Sequence, residues 1–149
     1  MKPDLGTLRP VPWIEGTAIC LCDVLDHKTH KPVPFSPREV LKTQIKKAED
    51  LGFSSIMATE LEFFLFQGTH DEIAANGFRE LKPISNYNED YHIFQTSKEE
   101  HVMRPIRNYL REMGIPVEGT KGEAEAGQEE LNIKSVSYTH LTLPTTPYV

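Results

Sequence analysis

Ser54-Ser-Ile-Met-Ala-Thr-Glu-Leu-Glu-Phe-Phe-Leu-Phe66 is the stretch on which the fold reading turns. It is apolar and bulky, with a period of two. Met57, Leu61, Phe63 and Leu65 fall on one side, and Ala58, Glu60, Glu62, Phe64 and Phe66 on the other. Such a pattern predicts a strand packed on a core by one face. Glu60 and Glu62 then stand on the other face, about 6.6 Å apart by strand rise. Two carboxylates beside aromatic rings are costly unless something neutralises them. Hard divalent cations do so through oxygen ligands. Taken alone, the pair reads equally as a solvated strand face.

Working outward, Ser36-Pro37-Arg38-Glu39 reads as a helix start with a capping box. Val40, Leu41, Ile45, Ala48 and Leu51 continue it as one stripe, and Gly52 stops it. Residues 17–25 are β-rich and read as a buried strand, and residues 1–16, with Pro3, Pro10 and Pro12, as an extended arm. A short helix is expected around Asp71–Ala75. Ser97-Lys-Glu-Glu100 reads as a second capping box, before a helix carrying Val102, Ile106, Tyr109, Leu110 and Met113. Pro105 inside that helix is expected to kink it or cost about 3 kcal/mol. Residues 115–118 and 129–133 read as strands flanking a turn at Gly127, in a segment crowded with Glu118, Glu123, Glu125, Glu129 and Glu130. The fold class expected is α+β, a mainly antiparallel sheet with helices against it.

The chain has 149 residues, one domain's length, and carries 22 acidic against 16 basic side chains, a net charge of −6. That balance argues against a nucleic-acid surface. No apolar run is long enough to span a membrane, and no signal-peptide pattern opens the chain. Two cysteines exclude a disulfide scaffold and fit a reducing cytoplasm. Cys20, Cys22, His27 and His30 offer the donor inventory of a zinc site, at a spacing that is not standard. Tyr91 and His92 read as packed loop residues, His70 and His101 as surface, and Met57 and Met113 as core.

Four stretches resemble the glutamine synthetase family. Glu60-Leu-Glu-Phe-Phe-Leu-Phe66 is similar to its E-x-E-F-F-L-F strand, and Glu123-Ala-Glu-Ala-Gly-Gln-Glu-Glu130 to its E-x-x-x-G-Q-x-E motif. Lys2-Pro-Asp-Leu-Gly-Thr-Leu-Arg-Pro-Val-Pro-Trp13 is similar to a P-D-x-x-T-x-R-x-x-P-W segment, and Cys22-Asp23 to a strand that often reads C-D. They stand in family order over residues 1–134.

The resemblance implies a ligase that uses ATP to phosphorylate the γ-carboxylate of glutamate and couples it to ammonia or a small amine. Two Mg²⁺ or Mn²⁺ ions would organise the site. Glu62, Glu123 and Glu130 would hold the metal near the glutamate carboxylate, with Glu62 and Glu123 thereby binding glutamate. Glu60 would help hold the metal at the ATP phosphates, and Glu118 would contact the nucleotide. Gly127 and Gln128 would shape the loop between the ligands. It implies homo-oligomeric rings for the whole enzyme and a cytoplasmic location, with no nucleic acid and no membrane partner.

The resemblance covers only the front part of such an enzyme. Residues 1–15 would end a preceding β-grasp domain or linker, and residues 16–134 would open the catalytic domain. The family's later histidine, arginines and flap glutamate have no counterpart here, so this chain by itself is expected to be inactive, in one alternative a metal-binding remnant. Residues 135–149 lack every charged acid or base. Their wording resembles one reading frame of a sequencing-library adapter, and they are expected to be a non-native tail.

Overall fold

A computed structural model of the chain describes residues 1–137, with the side chains of 136 and 137 left out. The described residues have helices and antiparallel sheets together, as the strand and helix periods require. They divide into two compact units. One holds Met1–Ala58, Glu112–Gly114 and Ser135–Ser137; the other holds Thr59–Arg111 and Ile115–Lys134.

In the first unit, β1 (Lys2–Pro3) pairs antiparallel with β4 (Cys22–Asp23), and β2 (Arg9–Pro10) with β3 (Ala18–Ile19). The expected continuous strand over 17–25 is therefore two short pieces, and Ala18 and Ile19 are exposed. The partner strands explain the break. Between Pro3 and Arg9 the arm leaves the extended conformation in a 3₁₀ turn, so the ladder does not run on through Cys20 and Leu21. The gap is closed by side chains: Leu21 N–H donates to Thr7 Oγ1 at 2.9 Å, and the Cys20 thiol donates to the Asp4 carbonyl at 3.2 Å. That 3₁₀ turn, at Leu5–Thr7, is capped by Asp4.

Helix α1 (Pro37–Asp50) starts where the sequence predicts, with proline in its first turn. Ser36 has cap geometry but makes no side-chain cap hydrogen bond, so the capping box is not formed. Leu41 and Ile45 of its apolar stripe are buried. Arg38 reaches Asp4 at 2.5 Å and Asp23 at 3.1 Å, and Lys42 reaches Asp23 at 2.7 Å. Burial alone would raise the Asp23 pKa, but the hydrogen bonds from Lys42 and Arg38 hold it below the usual range.

In the second unit lies most of a three-stranded sheet of order β5-β7-β6, from β5 (Ile56–Phe64), β7 (Gln128–Ser137) and β6 (Val117–Gly122). Strands β6 and β7 run antiparallel, with Lys121 opposite Glu130 and Gly122 opposite Glu129. Both strands run longer than the sequence signal, and β7 reaches Ser137, inside the expected tail; the rest of that tail lies outside the described residues. On β5, Phe63 is half-buried as expected, whereas Leu61 is 54% exposed.

Three helices accompany the sheet. Helix α2 (His70–Ala75) is closed by a Thr69–Glu72 capping box that the sequence reading passed over. Helix α3 (Ile93–Thr96) runs through a 3₁₀ turn at Ser97–Glu99 into α4 (Glu100–Glu112). Ser97 is therefore not a cap: it lies inside continuous helical structure, and its hydroxyl donates to the Ile93 carbonyl at 2.6 Å. Pro105 sits inside α4, as expected. Pro105 and His101, whose carbonyl loses a donor, are both exposed, so water can serve that carbonyl. Met103 and Leu131 are the most buried apolar side chains of this unit, at 2% each. Among the described residues no helix is long and apolar enough to cross a membrane.

Candidate metal centre

The site is assembled by strand alternation. Gln128 and Glu130 project from one face of β7, and Glu129 and Leu131 from the other. On the first face Glu130 meets Glu123, which follows β6, and Glu62, from β5. Carboxylate oxygens of Glu62, Glu123 and Glu130 lie within 4.8 Å of one another. No other cluster of histidine, cysteine and acidic side chains converges this way among the described residues.

The turn between Glu123 and Gln128 is fixed from within. Glu123 N–H donates to the Gln128 carbonyl at 2.8 Å, and Gln128 N–H to the Glu125 carbonyl at 3.0 Å. Gly127 has φ +74° and sits so close to the Leu65 carbonyl that a Cβ would stand 2.8 Å from that oxygen. Glycine is needed there on both counts. The Gln128 side chain donates to Glu62 at 2.9 Å and accepts from the Glu125 N–H at 3.1 Å, so one residue orients a carboxylate and holds the loop.

The three carboxylates are not equivalent. Glu62 is exposed, Glu123 half-buried and Glu130 buried. A hydrogen bond from Glu130, with another from Lys121, holds the Glu123 carboxyl down at about 2. The same Glu123–Glu130 hydrogen bond, with burial, raises Glu130. The shared hydrogen bond thus favours the charged form of the half-buried member and opposes that of the buried one. Lys121 Nζ lies 2.5 Å from Glu123, 2.8 Å from Asp90 and 3.4 Å from Glu130, and 4.7 Å from the centre of the Tyr91 ring. Burial alone would lower the Lys121 pKa, but the hydrogen bonds to Asp90 and Glu123 raise it well above the usual range. Three carboxylates converging on one point, all oxygen donors, fit a hard divalent ion.

The other sequence-predicted residues stand apart from this cluster. Glu60 is on β5 two residues before Glu62, exposed, and does not join the three carboxylates. Glu118 is exposed near a bulge in β6. Cys20, Cys22, His27 and His30 do not converge: the cysteine thiols point at backbone carbonyls of their own ribbon, and His30 takes a turn conformation with φ +56°. His92 is exposed with its ring edge against Tyr87, and Tyr91 is 84% exposed, so neither is packed as expected. His70 and His101 are exposed and Met113 is buried, as expected; Met57 is half-buried.

Two features went unread in the sequence. Lys121 stands two residues before Glu123 in extended chain, so a period of two already placed it on the carboxylate face. On the opposite face Glu89, Glu99 and Glu129 are buried at 0%, 4% and 1% exposure. Both Glu89 oxygens and one of Glu129 have no hydrogen-bond partner. Burial, then the charges of Glu89 and Glu99, push the Glu129 carboxyl up to about 7. Gly122 permits this packing, since a Cβ there would stand 2.6 Å from Glu89 Cβ and 2.5 Å from Thr96 Cγ2. Arg107 donates to Thr120 at 2.7 Å and pairs with Glu100 at 2.6 Å, tying α4 to β6. Those hydrogen bonds, from Arg107 above all, hold Glu100 at about 2.

Comparison with known proteins identifies the family and the fold. Residues 34–142 match the family described as glutamine synthetase, catalytic domain. A glutamate–isopropylamine ligase from a Pseudomonas species is 39% identical over 132 residues, 89% of this chain and 28% of that protein. A gamma-glutamylethanolamide synthetase from Streptomyces coelicolor is 37% identical over 131 residues, 88% of this chain and 28% of that protein. A solved structure of GmaS in complex with ADP superposes with a TM-score of 0.75 at 23% identity, over 93% of this chain and 30% of that one, which establishes a shared fold. The chain thus spans 28% of the length of the two curated relatives.

Proposed function

This chain belongs to the glutamine synthetase family, and from that premise we propose that it supplies part of the active site of an ATP-dependent ligase joining the γ-carboxylate of glutamate to a small primary amine or ammonia. The observation that carries the proposal is the convergence of Glu62, Glu123 and Glu130 from three separate segments, with oxygens within 4.8 Å. The names of the two curated relatives, one acting with isopropylamine and one making an ethanolamide, favour a small amine.

The chemistry asks little of the protein beyond charge and position. A γ-carboxylate and a triphosphate are both anionic and must be brought together before phosphoryl transfer. Mg²⁺ or Mn²⁺, when bound, would supply the positive charge that offsets this repulsion and polarises phosphoryl oxygens. Glu62, Glu123 and Glu130 are the residues that would hold it. Gln128 keeps Glu62 turned toward the other two, and the Gly127 turn fixes the distance between Glu123 and Glu130. Glu60, on the same strand face and exposed, is assigned to a second ion at the ATP phosphates, and Glu118 to the nucleotide. The amine must lose a proton to become a nucleophile, and an acidic surround favours capture of its ammonium form first.

The test is direct. The source locus is sequenced outward from codons 1 and 134, and the continuous frame is expressed. Glutamate-dependent release of phosphate from ATP is then followed with ammonia, isopropylamine and ethanolamine. The reading expects amide product with at least one amine, lost in Glu62→Ala. A frame that ends at Val149, or a full-length protein whose product formation survives Glu62→Ala, contradicts it.

A further inference from the structure

Lys121 has no role as a ligand, because an ammonium cannot donate electrons to a metal. Yet it occupies the carboxylate face, within 2.5 Å of Glu123 and 3.4 Å of Glu130, two of the three residues that would bind the ion. Its place is built. Register sets it opposite Glu130, and the alternation of β6 sets it on the side of Glu123. Its side chain is only 30% exposed, donates to Asp90 at 2.8 Å and lies 4.7 Å from the centre of the Tyr91 ring.

We propose that Lys121 is a resident counter-cation of the metal centre, which holds Glu123 and Glu130 together when no ion is bound and yields them to an incoming divalent cation. The proposal rests on the metal reading above. Two ionised carboxylates this close repel each other, and a positive charge beside them offsets that repulsion. Lys121 supplies that charge without closing the site, since its single charge is weaker than that of a divalent ion. Asp90 and the Tyr91 ring give it somewhere to stay: a carboxylate and an aromatic face both attract an ammonium. Once an ion is bound, the same ammonium opposes it. Lys121 therefore orders the empty site at the expense of affinity, and it couples metal loading to the Asp90–Tyr91 loop. It is a positioning residue, acting through the carboxylates.

The experiment is Mn²⁺ binding to the 149-residue chain by isothermal titration calorimetry, comparing the wild type with Lys121→Met and Lys121→Arg. Thermal melts in EDTA and in Mn²⁺ are run on the same samples. Removing a unit charge beside the ion is expected to tighten Mn²⁺ binding about tenfold in Lys121→Met. Lys121→Arg keeps the charge and is expected to bind like the wild type. Lys121→Met is also expected to melt earlier in EDTA and to recover with Mn²⁺, a pattern that a merely structural lysine would not give. If Lys121→Met does not fold in EDTA, Lys121→Gln, which keeps a donor toward Asp90, carries the same titration. Neutral variants that bind Mn²⁺ as the wild type does, or more weakly, overturn the counter-cation. A wild type that binds no Mn²⁺ overturns the metal reading, and this proposal with it.

Discussion

Two charged clusters in this chain have opposite balances. In the first unit, Asp4 and Asp23 face Arg38 and Lys42, two acids against two bases, with contacts of 2.5 to 3.1 Å. In the second, Asp90, Glu123 and Glu130 share one Lys121, and Glu62 stands beside them without a cation of its own. The first cluster is complete in itself and ties a ribbon to a helix. The second is short of positive charge by construction. A cluster matched in charge is explained by stability; one left unmatched, at a point where three segments converge, supports the proposed ion site.

The comparison breaks most visibly on metal binding. Glu123→Gln or Glu130→Gln is expected to lower Mn²⁺ affinity by about a hundredfold or more, at the upper end of the 10–100-fold loss usual for outer-shell partners. Asp23→Asn is expected to leave it unchanged. Affinity in the wild type is expected to fall with acid. Glu130, whose pKa is raised, has to release a proton to bind, so the loss begins at a pH above the ordinary carboxylate range. Titrations of the wild type and the three variants across pH check this.

Folding stability should respond in the reverse order. Asp23→Asn is expected to lower stability by about 1.5–3 kcal/mol, the range for hydrogen bonds to charged groups. The loss is expected to shrink in acid. The folded Asp23 pKa lies below the unfolded 3.8, so its contribution is present above that value and disappears as pH falls through the folded pKa. Glu130→Gln in EDTA is expected to be neutral or slightly stabilising, because it thins an acid-rich site. Urea unfolding of both variants decides whether the two clusters differ as claimed.

A smaller effect sharpens the contrast between the two faces of β7. The Glu129 pKa is raised from 4.5 to about 7 in the folded chain. Between those values the folded state keeps a proton that the unfolded state gives up, so this group's contribution falls as pH rises across the window. Glu129→Gln is expected to be more stable than the wild type at pH 8, on the order of 1–3 kcal/mol, since a change of one in pKa is worth about 1.4. The gain should vanish near pH 4.5, a pattern that urea midpoints across pH would reveal.

Much of this was legible from residues alone, for stated reasons. The period of two in residues 54–66 and the glycine turn at 127 are local signals, and both elements form where they predict. The carboxylate triad was not legible in that way: strand alternation offered Glu60 with Glu62, and only the family resemblance joined Glu62 to Glu123 and Glu130. Failures came where tertiary partners decide. Residues 17–25 look like one strand, but the partner side turns away at Leu5–Thr7 and interrupts its ladder. Ser97 looks like a cap, but helix already precedes it. The buried Glu89 and Glu99 carry no local mark, since their burial depends on a loop seated against Gly122. Lys121, by contrast, carries a local mark, since it stands two residues before Glu123 in extended chain.

The central claim is that Glu62, far along the chain from Glu123 and Glu130, belongs to one metal site with them. The most direct measurement is electron paramagnetic resonance of Mn²⁺ titrated into the chain and into Glu62→Ala, with Glu60→Ala as a neighbour control. The account predicts saturable loss of the free Mn²⁺ signal in the wild type, a marked weakening in Glu62→Ala and a smaller change in Glu60→Ala. Saturable binding that is unaffected by Glu62→Ala, or no saturable binding at all, would contradict it.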